Sequence, residues 1–301
     1  MSNSHESGIP QRVDSESLGG SFHYFPLGDI IYSTSFDLGV DGLPKYPKKI
    51  RYYTDFDTDF IGSGVAREFD FDYSACDRLL FRIGAFILYR LIATPVAFLH
   101  SALVLRQRVI GRKKLRGVKG GILVLNHTER IGDAFTPSVI SFPTRCFVVV
   151  HADNLSLPVL GGVTSMLGAV PIPHDRKSAR EYSLSIEKKL RRGDLVAIYP
   201  EAHLWEKYSG IRPFKDAALD PAVRNNAPVF ACTRVYKKSR ILGYKTRLYI
   251  DGPFYADVEK TRSAAARELS RLVHGIMTER AAESNVEVIR YEKRGTENQT
   301  C

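Results

Sequence analysis

The sequence of 301 residues is poor in cysteine. Its four cysteines are far apart and form no C-x-x-C pair, so neither a disulfide framework nor a zinc site is predicted. Unpaired thiols are consistent with a reducing compartment. The N-terminal stretch has no basic segment followed by an apolar core, so no secretory signal is expected. The cysteines are Cys76, Cys146, Cys232 and Cys301.

Acidic residues are the minority charge, with 33 against 43 basic residues and a formal net charge of +10. This excess indicates an anionic partner, such as lipid headgroups, nucleic acid or a phosphorylated metabolite, or else a generic basic surface. The sequence has no RNA-binding aromatic signature and no recognisable DNA-reading helix, which argues against nucleic acid. Hydrophobic content of 44% and charged content of 25% are typical of a globular protein.

Composition divides the chain into five segments. The first is polar and Ser/Gly-rich and is predicted to be disordered. The second is rich in aspartate and aromatic residues, and we interpret it as an acidic hairpin or an extended arm. The predicted segments are a disordered tail (1–20), an Asp/aromatic-rich extension (21–76), a membrane-interfacial helical segment (77–108), an α/β domain (109–285) and a C-terminal tail (286–301).

The aspartates of the second segment have the spacing of a calcium-binding loop but lack its other requirements. Asp55, Asp57 and Asp59 alternate as in an EF-hand. However, the sixth position is Phe60 where glycine is needed, and the twelfth is Ala66 where glutamate is needed. We therefore predict no metal site there.

The segment 77–108 is strongly apolar but contains no stretch of ~20 uncharged residues, which disfavours a simple membrane-spanning helix. Arg82 and Arg90 interrupt it, and Pro95 is expected to kink or end a helix. Apolar residues at helical spacing share one face, which is typical of a helix that lies in a membrane interface. The competing interpretation is a core helix with snorkelling arginines. The basic run RQRVIGRKKLRG that follows favours the membrane. The apolar positions on that face are Leu80, Ile83, Ile87 and Leu91.

From residue 120 onwards, short apolar runs alternate with helical patterns. GILVLN, CFVVVHA, DLVAIYPE, APVFACTRVY and RLYIDGPFY are predicted strands. Ser178 and Glu181 suggest a capping box at the start of a helix that Gly193 closes. The expected fold is therefore α/β, with a mixed sheet flanked by helices and preceded by the amphipathic segment. Chemistry is expected on the loops at strand ends.

A histidine and an aspartate follow the first of these strands. His127 comes directly after a buried strand, and Asp133 lies six positions later in the same loop. Thr136 and Pro137 are predicted as the N-cap and first position of the next helix, which leaves Asp133 on the loop. A neutral imidazole can accept a proton near neutral pH, and a carboxylate on its other nitrogen fixes its tautomer. The pair is either such a dyad or an ordinary polar turn.

These strand-end residues resemble the motifs of the glycerolipid acyltransferases typified by 1-acylglycerol-3-phosphate acyltransferases. That family carries N-H-x-x-x-x-D, a second block that ends in arginine, a third that reads F-P-E-G-T-R and a fourth with an apolar proline-containing strand. Their order agrees over roughly residues 106–255. The matching residues are Asn126, His127 and Asp133; Gly168 to Arg176; Tyr199-Pro200-Glu201 with Pro213-Phe214-Lys215; and Pro228-Val229-Phe230.

Two departures accompany the resemblance. Five residues separate His127 from Asp133 where the family has four, and Gly132 is expected to absorb the extra residue through a positive φ. In the third block, Ala202-His203-Leu204 replaces G-T-R, so the usual phosphate-binding arginine is absent. Arg212, Lys207 or Lys215 is expected to substitute for it.

The resemblance implies an acyltransferase domain over 109–285, in which His127 and Asp133 form the catalytic dyad. Asn126, Arg176, Glu201, Arg212 and Lys215 are the implied substrate-binding residues. The implied reaction moves an acyl group from acyl-CoA or acyl-carrier protein to a lysophospholipid hydroxyl, without a metal or bound cofactor. The expected location is the cytoplasmic face of an anionic membrane.

Two other function classes stay open. A serine hydrolase or thioesterase would use Ser165, although its glycine-rich surroundings lack the spacing of a nucleophile elbow. A weakly active or non-catalytic membrane-surface protein of the same fold would fit the altered third block.

Overall fold

The computed structural model describes residues 46–56, 71–73, 78–151, 160–240 and 243–294. These residues all belong to the unit Leu38–Cys301, while a second unit, Met1–Asp37, lies outside the described residues. The predicted tail 1–20, most of the extension 21–76, and Asp57 and Asp59 therefore lie outside them as well. The helices are α1 (Leu79–Ile87), α2 (Thr94–Leu103), α3 (Gly132–Ser141), α4 (Leu160–Met166), α5 (Arg176–Arg191), α6 (Asp220–Arg224) and α7 (Arg262–Ala281). The strands are β1 (Lys49–Tyr53), β2 (Arg108–Ile110), β3 (Gly121–Leu125), β4 (Cys146–Val150), β5 (Ala169–Pro171), β6 (Leu195–Ile198), β7 (Val229–Ser239), β8 (Gly243–Phe254) and β9 (Ile289–Lys293).

Seven strands form a mixed sheet in the order β2-β8-β7-β3-β6-β4-β5. The strands from β7 to β5 run parallel to one another, whereas β8 is antiparallel to β7 and pairs in parallel with β2. The predicted α/β fold with a mixed sheet flanked by helices is confirmed. Because the parallel strands share one carboxyl edge, the loops after β3, β6, β4 and β5 all open on the same side of the sheet.

Strand β3 lies at the centre of the sheet and is buried on both faces. Its side chains alternate, as the period of a strand requires. Ile122 and Val124 pack in the cluster that contains residues of α5, α6 and α7. Leu123 and Leu125 pack in the cluster on the other face, which includes Ile140 of α3. This central burial fixes where β3 ends and therefore where the loop of His127 begins.

The helix that precedes the domain does not end at Pro95. A π-helical stretch, Leu88–Ala93, joins α1 to α2, and Pro95 occupies the first turn of α2. The Thr94 hydroxyl donates to the Tyr89 carbonyl oxygen at 2.7 Å, which satisfies an acceptor at this irregular turn. The resulting helix, Leu79–Leu103, is long and apolar enough to cross a membrane by length and composition alone.

Strands β1 and β9 form a separate two-stranded parallel sheet. Of the two interpretations of the extension, a hairpin or an extended arm, the hairpin does not apply to β1, because β1 pairs with the C-terminal end of the chain. Residues 289–293, predicted as part of a tail, are a strand instead. The Tyr291 ring of β9 stacks on Trp205 at 4.6 Å, so this small sheet lies against the loop that follows β6.

Two predicted helix starts differ from the structure. Helix α5 begins at Arg176, because the Asp175 side chain accepts from the Ser178 N–H at 2.7 Å and Ser178 completes the box from inside the helix. Helix α3 begins at Gly132, so Thr136 is not its cap. The Thr136 hydroxyl bonds back to the Gly132 carbonyl oxygen at 2.7 Å instead. The longer α3 brings Asp133 into the first turn of a helix.

Candidate active site

The loop between β3 and α3 places a histidine and a carboxylate in direct contact. His127 Nδ1 lies 2.8 Å from Asp133 Oδ2. The His127 side chain is 25% exposed, whereas that of Asp133 is buried. Among the described residues no group bonds His127 Nε2. This nitrogen is therefore the one that can exchange a proton with a substrate.

The Asp133 carboxylate is held by four donors. Oδ2 accepts from the backbone N–H groups of Thr128 and Glu129, at 2.8 and 2.9 Å, in addition to His127. Oδ1 accepts from the guanidinium of Arg234. Burial alone would raise the pKa of Asp133, but the Arg234 charge and the His127 hydrogen bond outweigh it and hold the pKa below its ordinary value. An ionised Asp133 fixes a proton on Nδ1 and leaves Nε2 as the basic nitrogen.

Gly132 does not absorb the extra loop residue through a positive φ. It lies in the first turn of α3 and is not among the glycines with positive φ. A Cβ at this position would approach Glu129 Cβ and Leu105 Cδ1 to 2.9 Å each. The glycine is required because the loop packs closely against the preceding segment. The longer spacing is accommodated because two backbone N–H groups of the loop fold around Asp133.

Asn126 does not face the opening beside His127. Its side chain is buried, and its amide oxygen accepts from the Arg234 backbone N–H at 2.8 Å. Its amide nitrogen donates to the Arg234 carbonyl oxygen at 3.0 Å. The asparagine thus extends the pairing of β3 with β7 beyond the last backbone pair. Within the described residues its geometry indicates a structural role.

The third block lies beside the dyad. Glu201 follows β6 and accepts from the His127 backbone N–H at 3.2 Å and from Arg212 Nη2 at 3.0 Å. Arg212 is 1% exposed, and its guanidinium lies over the Trp205 ring at 5.1 Å. Burial raises the pKa of Glu201, although the Arg212 charge opposes that change. The pair connects the third block directly to the backbone of His127.

The two other predicted cationic residues are exposed. Arg176 is the first residue of α5, after the edge strand β5, and β4 and β6 lie between that strand and β3. Lys215 lies on the loop after β6, where its backbone N–H donates to the Pro200 carbonyl oxygen at 2.9 Å. The structure therefore brings together Asn126, His127, Asp133, Glu201 and Arg212. It does not place Arg176 beside them.

Three residues that the sequence reasoning missed complete the site. Arg234 binds Asp133, the Tyr199 hydroxyl donates to the Asp133 carbonyl oxygen at 2.5 Å, and Trp205 covers Arg212. Arg234 had a signal in the sequence, because it is a charged residue inside a strand that is otherwise apolar. The roles of Tyr199 and Trp205 depend on contacts between distant segments and left no such signal.

Residues 106–234 match the family model described as Acyltransferase. The chain carries an acyltransferase-family domain. The matched segment runs from just before β2 to Arg234 in β7, so it contains the dyad, the third block and the arginine that binds Asp133. The predicted resemblance is confirmed at the level of this family.

Among solved structures, the chain is similar to the 1-acyl-sn-glycerophosphate (LPA) acyltransferase PlsC from Thermotoga maritima. The identity is 16% and the TM-score is 0.40, with coverage of 67% of this chain and 97% of that chain. No curated protein matches. In the described part of the chain, no three His, Cys, Asp or Glu side chains are grouped so that they could hold a metal ion.

Proposed function

We propose that this protein is a membrane-associated O-acyltransferase with a lysophospholipid acceptor such as 1-acylglycerol-3-phosphate. The acyl donor is acyl-CoA or acyl-carrier protein, and no metal or bound cofactor takes part. The observation that carries the proposal is the His127–Asp133 contact at 2.8 Å, inside the segment that matches the acyltransferase family. Nε2 of the partly exposed imidazole, which no described residue bonds, is the base that such a transfer needs.

The reaction follows from that geometry. Nε2 of His127 takes the proton from the acceptor hydroxyl while the oxygen attacks the thioester carbonyl carbon and forms the new C–O bond. The tetrahedral intermediate then collapses, the C–S bond breaks, and the imidazolium returns the proton to the thiolate. The products are the acylated lipid and the free thiol. General-base assistance of this kind contributes roughly 10²–10⁴-fold to the rate.

The hydrogen-bond donors for the oxyanion of the intermediate must lie outside the first residues of the loop that follows β3. The backbone N–H groups of His127, Thr128 and Glu129 already donate to carboxylates, the first to Glu201 and the other two to Asp133. A group that is committed in the resting site offers no additional stabilisation to a developing charge. We therefore assign the oxyanion donors to groups on other segments that face His127.

We assign the phosphate of the acceptor to the cations after β5 and β6. Arg212 Nε and Nη1 have no hydrogen-bond partner among the described residues, although both atoms are buried. A guanidinium with two unbonded nitrogens beside the His127 loop can bind a phosphate oxygen. In this proposal Glu201 orders Arg212, and the exposed Arg176 and Lys215 attract the phosphate from solution.

The helix Leu79–Leu103 supports membrane association. One face packs on the domain through buried residues, and the Tyr89 hydroxyl accepts from the Cys146 N–H at 3.2 Å. Because that face is committed to the domain along its length, we propose that the helix lies in the interface with its opposite face in the lipid. The exposed apolar residues of this lipid face are Leu79, Leu80, Ile83, Phe86, Ile87, Leu91, Ile92, Val96, Leu99 and Leu103.

The membrane surface that we propose is anionic and cytoplasmic. Seven basic residues and no acidic ones occupy residues 106–119, directly after the apolar helix. Such a run suits the negative surface of a cytoplasmic leaflet. The two cysteines among the described residues, Cys146 and Cys232, are free, which suits a reducing compartment. We propose lipid and thioester partners and no nucleic-acid partner.

The alternative of a serine hydrolase has little support from the geometry. Ser165 lies in the last turn of α4, between β4 and β5. It is not on a sharp turn directly after a strand, where a nucleophile elbow exposes its serine. A non-catalytic protein of the same fold is the alternative that the activity test must address.

The test is thiol release from a long-chain acyl-CoA by the full-length protein in detergent, with and without 1-acylglycerol-3-phosphate and other lysolipids. A parallel reaction uses acylated carrier protein as the donor. The proposal expects release that depends on an acceptor and yields the diacyl product. Release without an acceptor identifies a thioesterase. No thiol release with either donor and any lysolipid contradicts the proposed enzyme and favours a binding protein.

A further inference from the structure

We propose that Arg234 is a positioning residue of the dyad, which fixes the orientation and the negative charge of Asp133 so that Asp133 can hold the Nδ1 proton of His127. The inference rests on the proposed function of His127 as the base. It adds a residue that belongs to none of the four motifs of the resemblance and that does not itself face the substrate.

The Arg234 guanidinium has three side-chain acceptors, which come from two segments of the chain. It is 1% exposed and donates to Asp133 Oδ1 and to the Thr136 hydroxyl, both in α3. Its Nε donates to Gln107 Oε1, just before β2, at 3.3 Å. The planar guanidinium therefore has a partner on each of its three nitrogens, which leaves it one orientation.

The backbone of Arg234 is fixed as firmly as its side chain. The Asn126 side chain bonds both its N–H and its carbonyl oxygen. Because Asn126 is the neighbour of His127, this contact places Arg234 in register with the histidine across two strands. The asparagine and the arginine thus form one unit that holds Asp133 from the side opposite His127.

The two carboxylate oxygens of Asp133 have different partners. Oδ2 takes the two loop N–H groups and His127, so Oδ1 would be left without a partner if Arg234 were absent. A buried carboxylate with no cation beside it favours the protonated form. A protonated Asp133 cannot stabilise the imidazolium that forms during the reaction.

Other charged and titratable groups face this pair, and the acid among them, Glu129, has its own cation. Glu129 is paired with Lys207 and accepts from the Tyr236 hydroxyl at 3.1 Å. Arg234 is therefore the cation that faces Asp133 among the described residues. The groups that influence Asp133, Arg234 or Glu129 electrostatically are His100, His127, Tyr199, Lys207 and Tyr236.

The experiment compares Arg234→Gln and Arg234→Lys with the wild-type protein, from about pH 5.5 to about pH 8.5. For Arg234→Gln we expect kcat to fall by about 10²-fold near neutral pH, with KM for the acyl donor unchanged. The loss is expected to grow as the pH falls, because Asp133 without its cation takes up a proton more readily. Arg234→Lys keeps the charge and is expected to restore the pH profile, with only part of kcat.

The matched control is Arg280→Gln, which removes another ion-paired arginine, bonded to Asp251 and Glu283 away from the dyad. It should leave the pH profile unchanged. A loss of kcat in Arg234→Gln by one factor at every pH would overturn the proposal, since a purely structural role predicts that result. Thr136→Val is the milder variant should Arg234→Gln fail to fold. It removes one acceptor of Arg234 and should reduce kcat more at low pH than at high pH.

A spectroscopic measurement separates this inference from the proposed function. A proton in the bond between His127 Nδ1 and Asp133 should give a downfield proton NMR signal that is absent in His127→Ala. We expect folded Arg234→Gln to lose or shift this signal, even if the wild-type protein shows no transfer with any acceptor. An unchanged signal in folded Arg234→Gln would overturn the role of Arg234, whereas an inactive wild-type protein with the expected signals would overturn only the proposed reaction.

Discussion

The Tyr199 hydroxyl donates to the backbone carbonyl oxygen of Asp133 at 2.5 Å. In a regular helix this oxygen would accept from the N–H four residues later, but that residue is Pro137, which has none. Tyr199, at the end of β6, therefore supplies the donor that the helix lacks. The proline is tolerated inside α3, and the third block is thereby tied to the turn that carries Asp133.

We predict that Tyr199→Phe destabilises the protein by about 1–3 kcal/mol, because it leaves a buried carbonyl without a donor. The Pro137→Ala background offers the missing N–H. In that background Tyr199→Phe should lower the free energy of unfolding by less. The effects of Tyr199→Phe and Pro137→Ala on this free energy should therefore be less than additive. Urea unfolding of the four proteins measures the coupling. Additive effects would show that Tyr199 and Pro137 act independently.

The Asp133→Asn substitution should lower the free energy of unfolding by about 3–5 kcal/mol at neutral pH, because it leaves the buried Arg234 without its counter-ion. The pKa of Asp133 in the folded protein lies below its unfolded value of about 3.9. Its stabilising contribution is therefore complete above that value and is lost as the pH falls through the lower folded pKa. The difference between the two proteins should shrink below about pH 4. Unfolding curves at several pH values measure it, and a difference that persists unchanged in acid would contradict the assignment.

The third block has a backbone conformation that favours glycine at a position where this sequence has alanine. Ala202 occupies the position where the family has glycine, and its φ is +64°. A residue with a side chain costs roughly 1–2 kcal/mol in this left-handed conformation, and glycine avoids that cost. Glycine also has more conformational freedom in the unfolded chain, which offsets part of the gain in stability. We predict that Ala202→Gly raises the free energy of unfolding by about 0.5 kcal/mol and leaves transfer unchanged. Ala218→Gly, outside the turn, is the control and should destabilise. A loss of stability in Ala202→Gly would contradict the account of this turn.

The lipid face of the helix Leu79–Leu103 should control binding to vesicles. Leu80 and Leu91 are 83% and 63% exposed, and each should contribute about 1.5–3 kcal/mol when inserted into lipid. The double substitution to glutamate should therefore weaken binding to anionic vesicles by roughly 10²-fold or more, without unfolding the protein. Leu272→Glu, an exposed leucine on α7, is the matched control. Sedimentation with vesicles measures both, and equal binding by all three proteins would exclude this face.

The elements of the fold that the local pattern of apolar residues determines were predictable from the sequence. The strands around GILVLN and DLVAIYPE are apolar runs of strand length, and the structure has both, with bounds that differ by at most three residues. The start of α3 was not predictable, because Thr136-Pro137 is a strong local start signal that a distant hydroxyl overrides. Strand β9 was missed because its partner, β1, lies at the other end of the chain.

The candidate site likewise has features that the sequence predicts and features that it does not. The His127–Asp133 contact was predictable, because the two residues are only six positions apart and their spacing resembles a family motif. The burial of Arg212 was not predictable from the sequence, because Trp205 and Tyr291 cover that region and Tyr291 belongs to the distant strand β9. Asn126 was expected to bind substrate, because the resemblance to the acyltransferase motifs implies that role. Its partner is the backbone of Arg234, which only the pairing of β3 with β7 reveals.

The central claim is that His127 is the base of an acyl transfer. The measurement that tests it most directly is the rate of acceptor-dependent transfer by His127→Ala against His174→Ala. His174 also contacts an aspartate, Asp175, at 3.2 Å, but that pair is exposed. We predict that His127→Ala folds, binds vesicles and loses transfer by at least about 10²-fold, while His174→Ala keeps wild-type turnover. Near-wild-type turnover by a well-folded His127→Ala protein would contradict the account.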